Sequence, residues 1–157
     1  MIQNSFCADQ RLIEALRKRS RPVLCGEGRV LFSQGDVPIG LYLVERGEAA
    51  MVMTSALGRV VMCFHAGAGS VLGLPAVLGD QPYSLTAMAD KDSEVLFVDR
   101  GDFEELMRAE LDLYPYVLQV LSAQVRSARL AATDWKGQSG RDQFRTPAAQ
   151  TPMASSN

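Results

Sequence analysis

From residue 22 to about residue 99 the chain consists of short runs of β-branched and aromatic residues separated by glycine-containing turns. Glycine adopts positive φ angles at little cost, so Gly35, Gly47 and Gly58 mark places where the chain can reverse. The apolar runs predict strands near residues 22–25, 29–33, 40–45, 48–54, 59–65, 84–89 and 94–99. Many short strands spaced about 8–12 residues apart are typical of a small antiparallel sandwich or barrel, so the chain is expected to be mainly β.

Apolar residues recur with helical spacing on both sides of this β region. Residues 9–20 predict a short amphipathic helix, and residues 102–111 predict another that begins with a capping-box-like Asp102. A third helix is predicted over residues 115–133, because Pro115 suits a first helical turn. The β region is therefore expected to carry one helix before it and two after it.

The helix predicted over 115–133 carries an apolar stripe whose members recur at steps of three and four residues, the spacing of a coiled-coil seam. Gln124 interrupts the flank of this stripe with a polar group. The members of the stripe are Val117, Leu118, Leu121, Val125, Ala128 and Ala132. Such a stripe needs a partner surface, which is the β region of the same chain, a second subunit, or both in turn. A homodimer through this helix is the expectation.

Composition limits the class of protein. The 157 residues are 47% hydrophobic and 22% charged, with a formal net charge of -2, which is typical of a soluble globular protein. No apolar stretch reaches the ~20 residues of a membrane span, and the first residues lack the pattern of a secretory signal, so we expect a cytoplasmic protein with no membrane partner. The predicted units are a helical segment over 1–21, the β region over 22–100, C-terminal helices over 101–134 and a disordered tail over 135–157.

Two glycine-framed motifs stand out in the β region. The first is a Gly35-Asp36 turn followed by the strand Tyr42-Leu43-Val44 and by Gly47, and the second is the run Gly69-Ser70-Val71-Leu72-Gly73. The first motif resembles the first signature of the cyclic-nucleotide-binding domain of the Crp/Fnr regulator superfamily, and the second is similar to the entry of its phosphate-binding cassette. The resemblance covers roughly residues 10–133. It implies a double-stranded β-helix, a jelly-roll-like β-roll, with an N-terminal helix and two C-terminal helices, and a role in signal sensing and transcription regulation.

The cassette departs from the pattern of the family members that bind nucleotides. In those members a glutamate after the entry glycine holds the ribose and a Pro-Arg pair holds the cyclic phosphate, whereas here Leu74 follows Gly73 and Tyr83 follows Pro82. Hydrogen bonds to charged groups contribute about 1.5–3 kcal/mol each, so both losses should weaken cyclic AMP binding by roughly two or more decades.

A less polar ligand is the alternative occupant of the cassette. The candidate ligand-binding residues are Gly73, Leu74, Pro75, Ala76, Val77, Tyr83, Ser84 and Thr86. Tyr83, Ser84 and Thr86 would be the few polar groups in an otherwise apolar cavity, which is the usual composition of a small-molecule site. The other interpretation is that these residues fill a vestigial pocket that binds nothing.

No cofactor, metal site or catalytic group is predicted. Cys63 and His65 have a C-x-H spacing that two haem or metal ligands could use, and haem is the alternative on that ground. Three scattered cysteines make neither a disulfide framework nor a four-cysteine cluster. The sequence contains no nucleophile elbow, P-loop or zinc-protease motif, so an enzyme is not expected.

The resemblance implies an effector-sensing domain that takes part in regulation. Family members that regulate transcription carry a winged helix-turn-helix module after the dimer helix, and the 24 residues that follow Thr133 are too few and too polar for one. Specific binding of duplex DNA by this chain alone is therefore not expected. The alternative function is a protein–protein interaction module with a vestigial, ligand-free pocket.

Overall fold

The computed structural model describes the backbone of residues 6–149 and the side chains of residues 6–130 and 132. Within this part the helices are α1 (Gln10–Arg17), α2 (Leu74–Gly79), α3 (Arg100–Ala109) and α4 (Tyr114–Ala149), with a 3-10 turn at Leu111–Leu113 before α4. None of the described helices is long and apolar enough to cross a membrane. The prediction of one helix before the β region and two after it is confirmed.

The strands form two antiparallel four-stranded sheets. Their bounds are β1 (Arg21–Val23), β2 (Arg29–Phe32), β3 (Gly40–Arg46), β4 (Ala49–Thr54), β5 (Val60–Ala66), β6 (Val71–Leu72), β7 (Thr86–Ala89) and β8 (Glu94–Asp99). One sheet has the order β1-β8-β3-β6 and the other the order β2-β7-β4-β5. The predicted fold class, a mainly antiparallel β-roll with flanking helices, is confirmed.

Strand β3 explains where the two hydrophobic cores lie. Successive side chains of a strand point to opposite faces. Tyr42 and Val44 belong to the core inside the roll, and Leu41 and Leu43 belong to the core beneath the helices. The second core contains Leu12 of α1, Phe103 and Leu106 of α3, and Val117 and Val120 of α4. The roll therefore has a packed interior and a helical layer on one of its sheets.

Three sequence-based details differ from the structure. Strand β6 was not predicted, because two residues are too few for an alternating pattern, yet it pairs with Tyr42 and Leu43 of β3. The N-cap of α3 is Asp99 rather than Asp102, since the Asp99 side chain accepts a hydrogen bond from the Gly101 N–H at 2.8 Å. Helix α1 ends at Arg17, before the predicted end at residue 20.

The C-terminal end of α4 is the largest difference. The helix extends to Ala149, so the predicted end near Thr133 is wrong and the backbone over 135–149 is helical rather than the predicted disordered tail. Between Pro115 and Pro147 no proline interrupts the chain, and a nucleated helix gains one hydrogen bond for each residue added. Residues 150–157 of the predicted tail lie outside the described residues.

Candidate small-molecule cleft

A cleft of about 270 Å³ lies between the interior of the roll, the segment around α2 and one face of α4. This volume is close to the lower end of the ~300–1,000 Å³ range of ligand pockets. Its walls are Phe6, Phe32, Met51, Met53, Met62, Phe64, Gly73, Pro75, Ala76, Tyr83, Ser84, Leu85, Leu121, Gln124, Val125, Ser127 and Ala128. The cleft is therefore made by strands β2, β4 and β5 of one sheet, by the segment 73–85 and by a helix more than 30 positions further along the chain.

Gly73 sets the direction in which the chain enters α2. It is the N-cap residue with a φ of 91°, a left-handed conformation that favours glycine. A Cβ atom at this position would lie 3.1 Å from Cε1 of Tyr83 and 3.2 Å from the carbonyl oxygen of Gly40. Pro75 follows in the first turn of α2, where its missing N–H leaves no helical hydrogen bond unmade. Backbone conformation and space thus both favour glycine here.

The hydroxyl group of Tyr83 is fully used by the backbone of β3 and the residue before it. It donates to the carbonyl oxygen of Gly40 at 2.8 Å and accepts from the N–H groups of Ile39 at 3.1 Å and Gly40 at 3.3 Å. A phenol has one donor and two acceptor positions, so none remains for a ligand. The ring of Tyr83, buried and stacked on Phe32 at 4.0 Å, contributes apolar surface instead.

The main chain of Tyr83 also joins two loops. The Tyr83 carbonyl accepts from the Gly35 N–H at 2.8 Å, and the Tyr83 N–H donates to the Asp36 carbonyl at 3.0 Å. These two bonds tie the segment after α2 to the turn between β2 and β3. Together with the three bonds of its hydroxyl group, Tyr83 makes five hydrogen bonds to the backbone of residues 35–40.

The structure brings together five of the eight predicted ligand-binding residues: Gly73, Pro75, Ala76, Tyr83 and Ser84. Leu74 and Val77 do not line the cleft, because they are buried in the core beneath the helices. Thr86 does not line it either, and its hydroxyl accepts a hydrogen bond from the Gln34 N–H at 2.9 Å. The structure thus places Leu74, Val77 and Thr86 away from this cleft, and the ligand contacts of the other five residues stay a prediction.

Sequence reasoning missed the walls that β4, β5 and α4 provide. Alternation along β4 and β5 could have suggested an inward face containing Met51, Met53 and Met62. For α4, the one sequence signal was that Gln124, which lines the cleft, is a polar residue within an apolar stripe. Its Nε2 atom is buried and, among the described residues, is the one buried side-chain nitrogen or oxygen without a hydrogen-bond partner.

The residues that line the cleft in the described part of the chain include no Lys, Arg, His, Asp or Glu. Arg100, whose side chain reaches the residue after α2, is held in ion pairs: it donates to Asp80 at 2.8 Å and to Glu104 at 3.2 Å. Both contacts raise the pKa of the Arg100 guanidinium. The described lining of the cleft thus offers no cation to a phosphate and no carboxylate to a ribose.

Cys63 and His65 are exposed on β5. They share the outer face of the strand, since residues two apart point the same way, and the inward Phe64 lies between them. Among the described side chains, those of residues 6–130 and 132, no three His, Cys, Asp or Glu side chains are grouped as a metal site would require. Cys25 is buried, and desolvation raises the pKa of its thiol.

Comparison with known proteins places this architecture in a family. The model of the cyclic nucleotide-binding domain matches residues 23–110, more than half of the chain. The chain belongs to the cyclic nucleotide-binding domain family. The predicted membership of the Crp/Fnr-type superfamily is thereby confirmed.

Relatives of this cyclic nucleotide-binding domain include a bacterial receptor. The cyclic AMP receptor protein of Thermus thermophilus is 32% identical over 98 residues, which are 62% of this chain and 45% of the relative. The crystal structure of the Thermus thermophilus catabolite activator protein matches with a TM-score of 0.59 and 28% identity, covering 83% of this chain and 59% of that one. The chain thus spans about half of the length of these two relatives.

A third solved structure supports the fold. The sensor domain of the transcriptional regulator DNR from Pseudomonas aeruginosa has a TM-score of 0.59 and 17% identity, covering 76% of this chain and 81% of that one. At this identity the likeness concerns the fold only.

In this cyclic nucleotide-binding domain α4 has two apolar sides. Val117 and Val120 are buried against the roll, so the prediction that Val117 belongs to a dimer seam is wrong. Leu118 is 61% exposed and Val125 is 51% exposed, although Val125 also borders the cleft. The stripe read from the sequence is therefore divided between the chain's own core, the cleft and the outer surface.

Proposed function

We propose that the chain is an effector-sensing domain of the Crp/Fnr type whose cleft accepts a small molecule other than cyclic AMP. The observation that carries this proposal is the lining of the cleft, which contains no charged side chain in the described part of the chain. Burying an ion without a partner costs several kcal/mol, and a cyclic phosphate would be such an ion here.

The position of Tyr83 supports the same conclusion. It follows Pro82, where the family resemblance implies the phosphate-binding arginine, and its hydroxyl bonds the backbone of residues 39 and 40. Leu74, which stands where the ribose-binding glutamate is implied, is fully buried in the other core. Neither position is equipped to hold a nucleotide.

Two further properties belong to the proposal. Exposed Leu118 and Val125 on α4 support a homodimer, because an apolar helix face of this kind is usually covered by a partner. The formal net charge of -2 gives no electrostatic support for duplex DNA, so specific DNA binding by this chain alone is not part of the proposed function.

Titration calorimetry with cyclic AMP and with cyclic GMP tests the proposal. We expect no saturable heat at nucleotide concentrations up to about 100 μM, since the lost charge-assisted bonds correspond to two or more decades in affinity. The cyclic AMP receptor protein of Thermus thermophilus, titrated under the same conditions, is the positive control. A low-micromolar dissociation constant for either nucleotide would contradict the proposal.

A further inference from the structure

Nε2 of Gln124 is a buried hydrogen-bond donor at the wall of an apolar cleft, and the described residues give it no acceptor. A buried amide without a partner costs free energy, and such groups in proteins are usually satisfied by another group, a water molecule or a ligand. We propose that the cleft binds an uncharged, largely apolar molecule that presents one hydrogen-bond acceptor, a carbonyl or ether oxygen, to this atom. The inference rests on the proposed function and specifies its ligand class.

The remaining walls favour an apolar body on that molecule. Four aromatic rings, Phe6, Phe32, Phe64 and Tyr83, and three methionines, Met51, Met53 and Met62, line the cleft. Methionine side chains adapt to irregular shapes and make favourable contacts between sulfur and aromatic rings. A compact ring or a short branched chain matches both this surface and a volume of about 270 Å³.

The other polar groups of the cleft do not compete with Gln124 for the ligand's acceptor. The hydroxyl of Tyr83 already makes three hydrogen bonds to backbone groups. Ser84 is exposed, and an exposed hydroxyl group can exchange hydrogen bonds with solvent. Ser127 has an interaction of its own. Recognition of the polar atom of the ligand is therefore assigned to Gln124.

The same lining residues argue against a charged ligand in the cleft. A carboxylate or phosphate in the cleft would face apolar side chains and one neutral amide, with no Lys or Arg among the described lining residues. Desolvation of an unpaired anion costs far more than a single hydrogen bond returns. The ligand class is thus neutral as well as apolar.

Three related probes test the inference: acetophenone, which has a ring and a carbonyl, ethylbenzene, which has the same ring and two-carbon chain without the carbonyl oxygen, and benzoate, which is charged. Their affinities for the full chain are measured by protein-observed NMR titration. We expect acetophenone to bind about five-fold more tightly than ethylbenzene, the ratio that one net hydrogen bond gives, and benzoate to bind more weakly than both.

Two variants locate the preference. Gln124→Met keeps the volume of the side chain and removes the amide, so the ratio between acetophenone and ethylbenzene should fall to about one. Gln119→Met makes the same change at an exposed position of α4 outside the cleft, and the ratio should stay as in the parent. Melting temperatures of both variants, measured alongside, establish that each is folded.

The outcomes separate the two levels of the proposal. A preference for acetophenone that persists in Gln124→Met, equal binding of all three probes, or no chemical-shift change at cleft residues would each overturn the inference. Cyclic AMP is titrated in the same series. Low-micromolar binding of that nucleotide would overturn the proposed function, whereas its absence combined with any of the three outcomes above would overturn this inference and leave the proposed function standing.

Discussion

Tyr83 lies between α2 and β7 and has its side chain inside the roll. Its hydroxyl group bridges the N–H groups of Ile39 and Gly40 and the carbonyl of Gly40, all of which are close to the start of β3. The two hydrogen bonds with Gly40 are buried and the one from Ile39 is partly buried, at the point where the chain enters the sheet. The residue therefore fixes the entry of β3.

The change Tyr83→Phe removes the hydroxyl and leaves the ring in place. We expect the free energy of unfolding to fall by about 1–3 kcal/mol, because buried donors and an acceptor lose their partner. Urea denaturation followed by circular dichroism measures the difference. Tyr114→Phe, at a position that is 43% exposed, is the control and should have little effect. Equal stability of Tyr83→Phe and the parent would refute the bridging role.

The sequence alone could not show whether Tyr83 binds a ligand or the protein's own backbone. The residue type was enough to predict that no arginine follows Pro82 in the cassette. Whether the hydroxyl faces a ligand or a backbone depends on residues 39 and 40, which lie more than 40 positions earlier in the chain. Similarly, the sequence showed Gln124 as a polar residue in an apolar stripe. That its Nε2 atom is buried without a hydrogen-bond partner depends on how α4 packs against the roll, which the sequence does not show.

Helix α1 is attached to β3 by an ion pair as well as by its buried face. Nε of Arg17 lies 2.6 Å from Oε1 of Glu45, and Nη2 of Arg17 lies 3.0 Å from Oε2, an arrangement in which two parallel hydrogen bonds form. The hydrogen bond from Arg17 lowers the pKa of the Glu45 carboxyl below its ordinary value. Leu12, Ile13 and Leu16 supply the apolar contacts of the same helix.

A lowered pKa in the folded state makes this contribution dependent on pH. The stabilisation is present above the ordinary pKa of the carboxyl and is lost as the pH falls through the lowered folded-state pKa, because protonation ends the ion pair. We therefore expect Glu45→Gln to lower the melting temperature at pH 7 by a small amount, on the order of 1–2 °C. The difference from the parent should shrink as the pH falls below the ordinary pKa of the carboxyl and disappear once the pH lies below the lowered folded-state pKa.

Calorimetric melting of the parent, Glu45→Gln and Asp112→Asn over pH 2.5–7.5 checks this expectation. Asp112 is an exposed acidic residue in the 3-10 turn, so its variant corrects for the loss of one negative charge. A difference between Glu45→Gln and the parent that stays constant down to the lowest pH would contradict the assigned ion pair.

Periodicity predicted most helices and strands because their faces are buried on one side, and it failed where that signal is absent. Strand β6 has two residues that are both buried, so no alternation exists to detect. The start of α3 depends on whether Asp99 or Asp102 accepts a hydrogen bond from the first turn. Side-chain geometry decides this, and the sequence does not show it. The end of α4 lies in a segment without an apolar face.

The arrangement of α4 on the roll decides which substitution can test the proposed dimer. Leu121 lines the cleft, so changing it would disturb the cleft and any interface together. Leu118 does not line the cleft and is 61% exposed, which makes it the cleaner probe of the outer surface. Gln119 is one residue further on, about 100° around the helix.

We expect the parent to be a dimer at tens of micromolar and Leu118→Asp to be a monomer, because the carboxylate would be buried without a partner in the interface. Size exclusion with light scattering measures the mass of each. Gln119→Asp adds the same charge on a different side of α4 and should leave the dimer intact. A monomeric parent, or a Leu118→Asp protein that stays dimeric, would refute an interface through this face.

The assembly of the cleft is the property least accessible from the sequence. Its walls come from residue 6, from strands around residues 51–64, from the segment 73–85 and from α4 near residues 121–128. Local periodicity places each of these residues on a face of its own element but does not say which faces meet. The family resemblance located the segment 73–85, and the packing of α4 supplied the rest.

The backbone bonds between Tyr83 and residues 35 and 36 have a kinetic consequence. A loop that closes over a ligand must lose conformational entropy at that moment, which weakens affinity and slows association when closure is the slow step. Here the segment after α2 is already ordered by its pairing with the turn before β3. A molecule that enters the cleft meets a preorganised wall, so its association rate should be set by diffusion and by desolvation of the cleft rather than by loop closure.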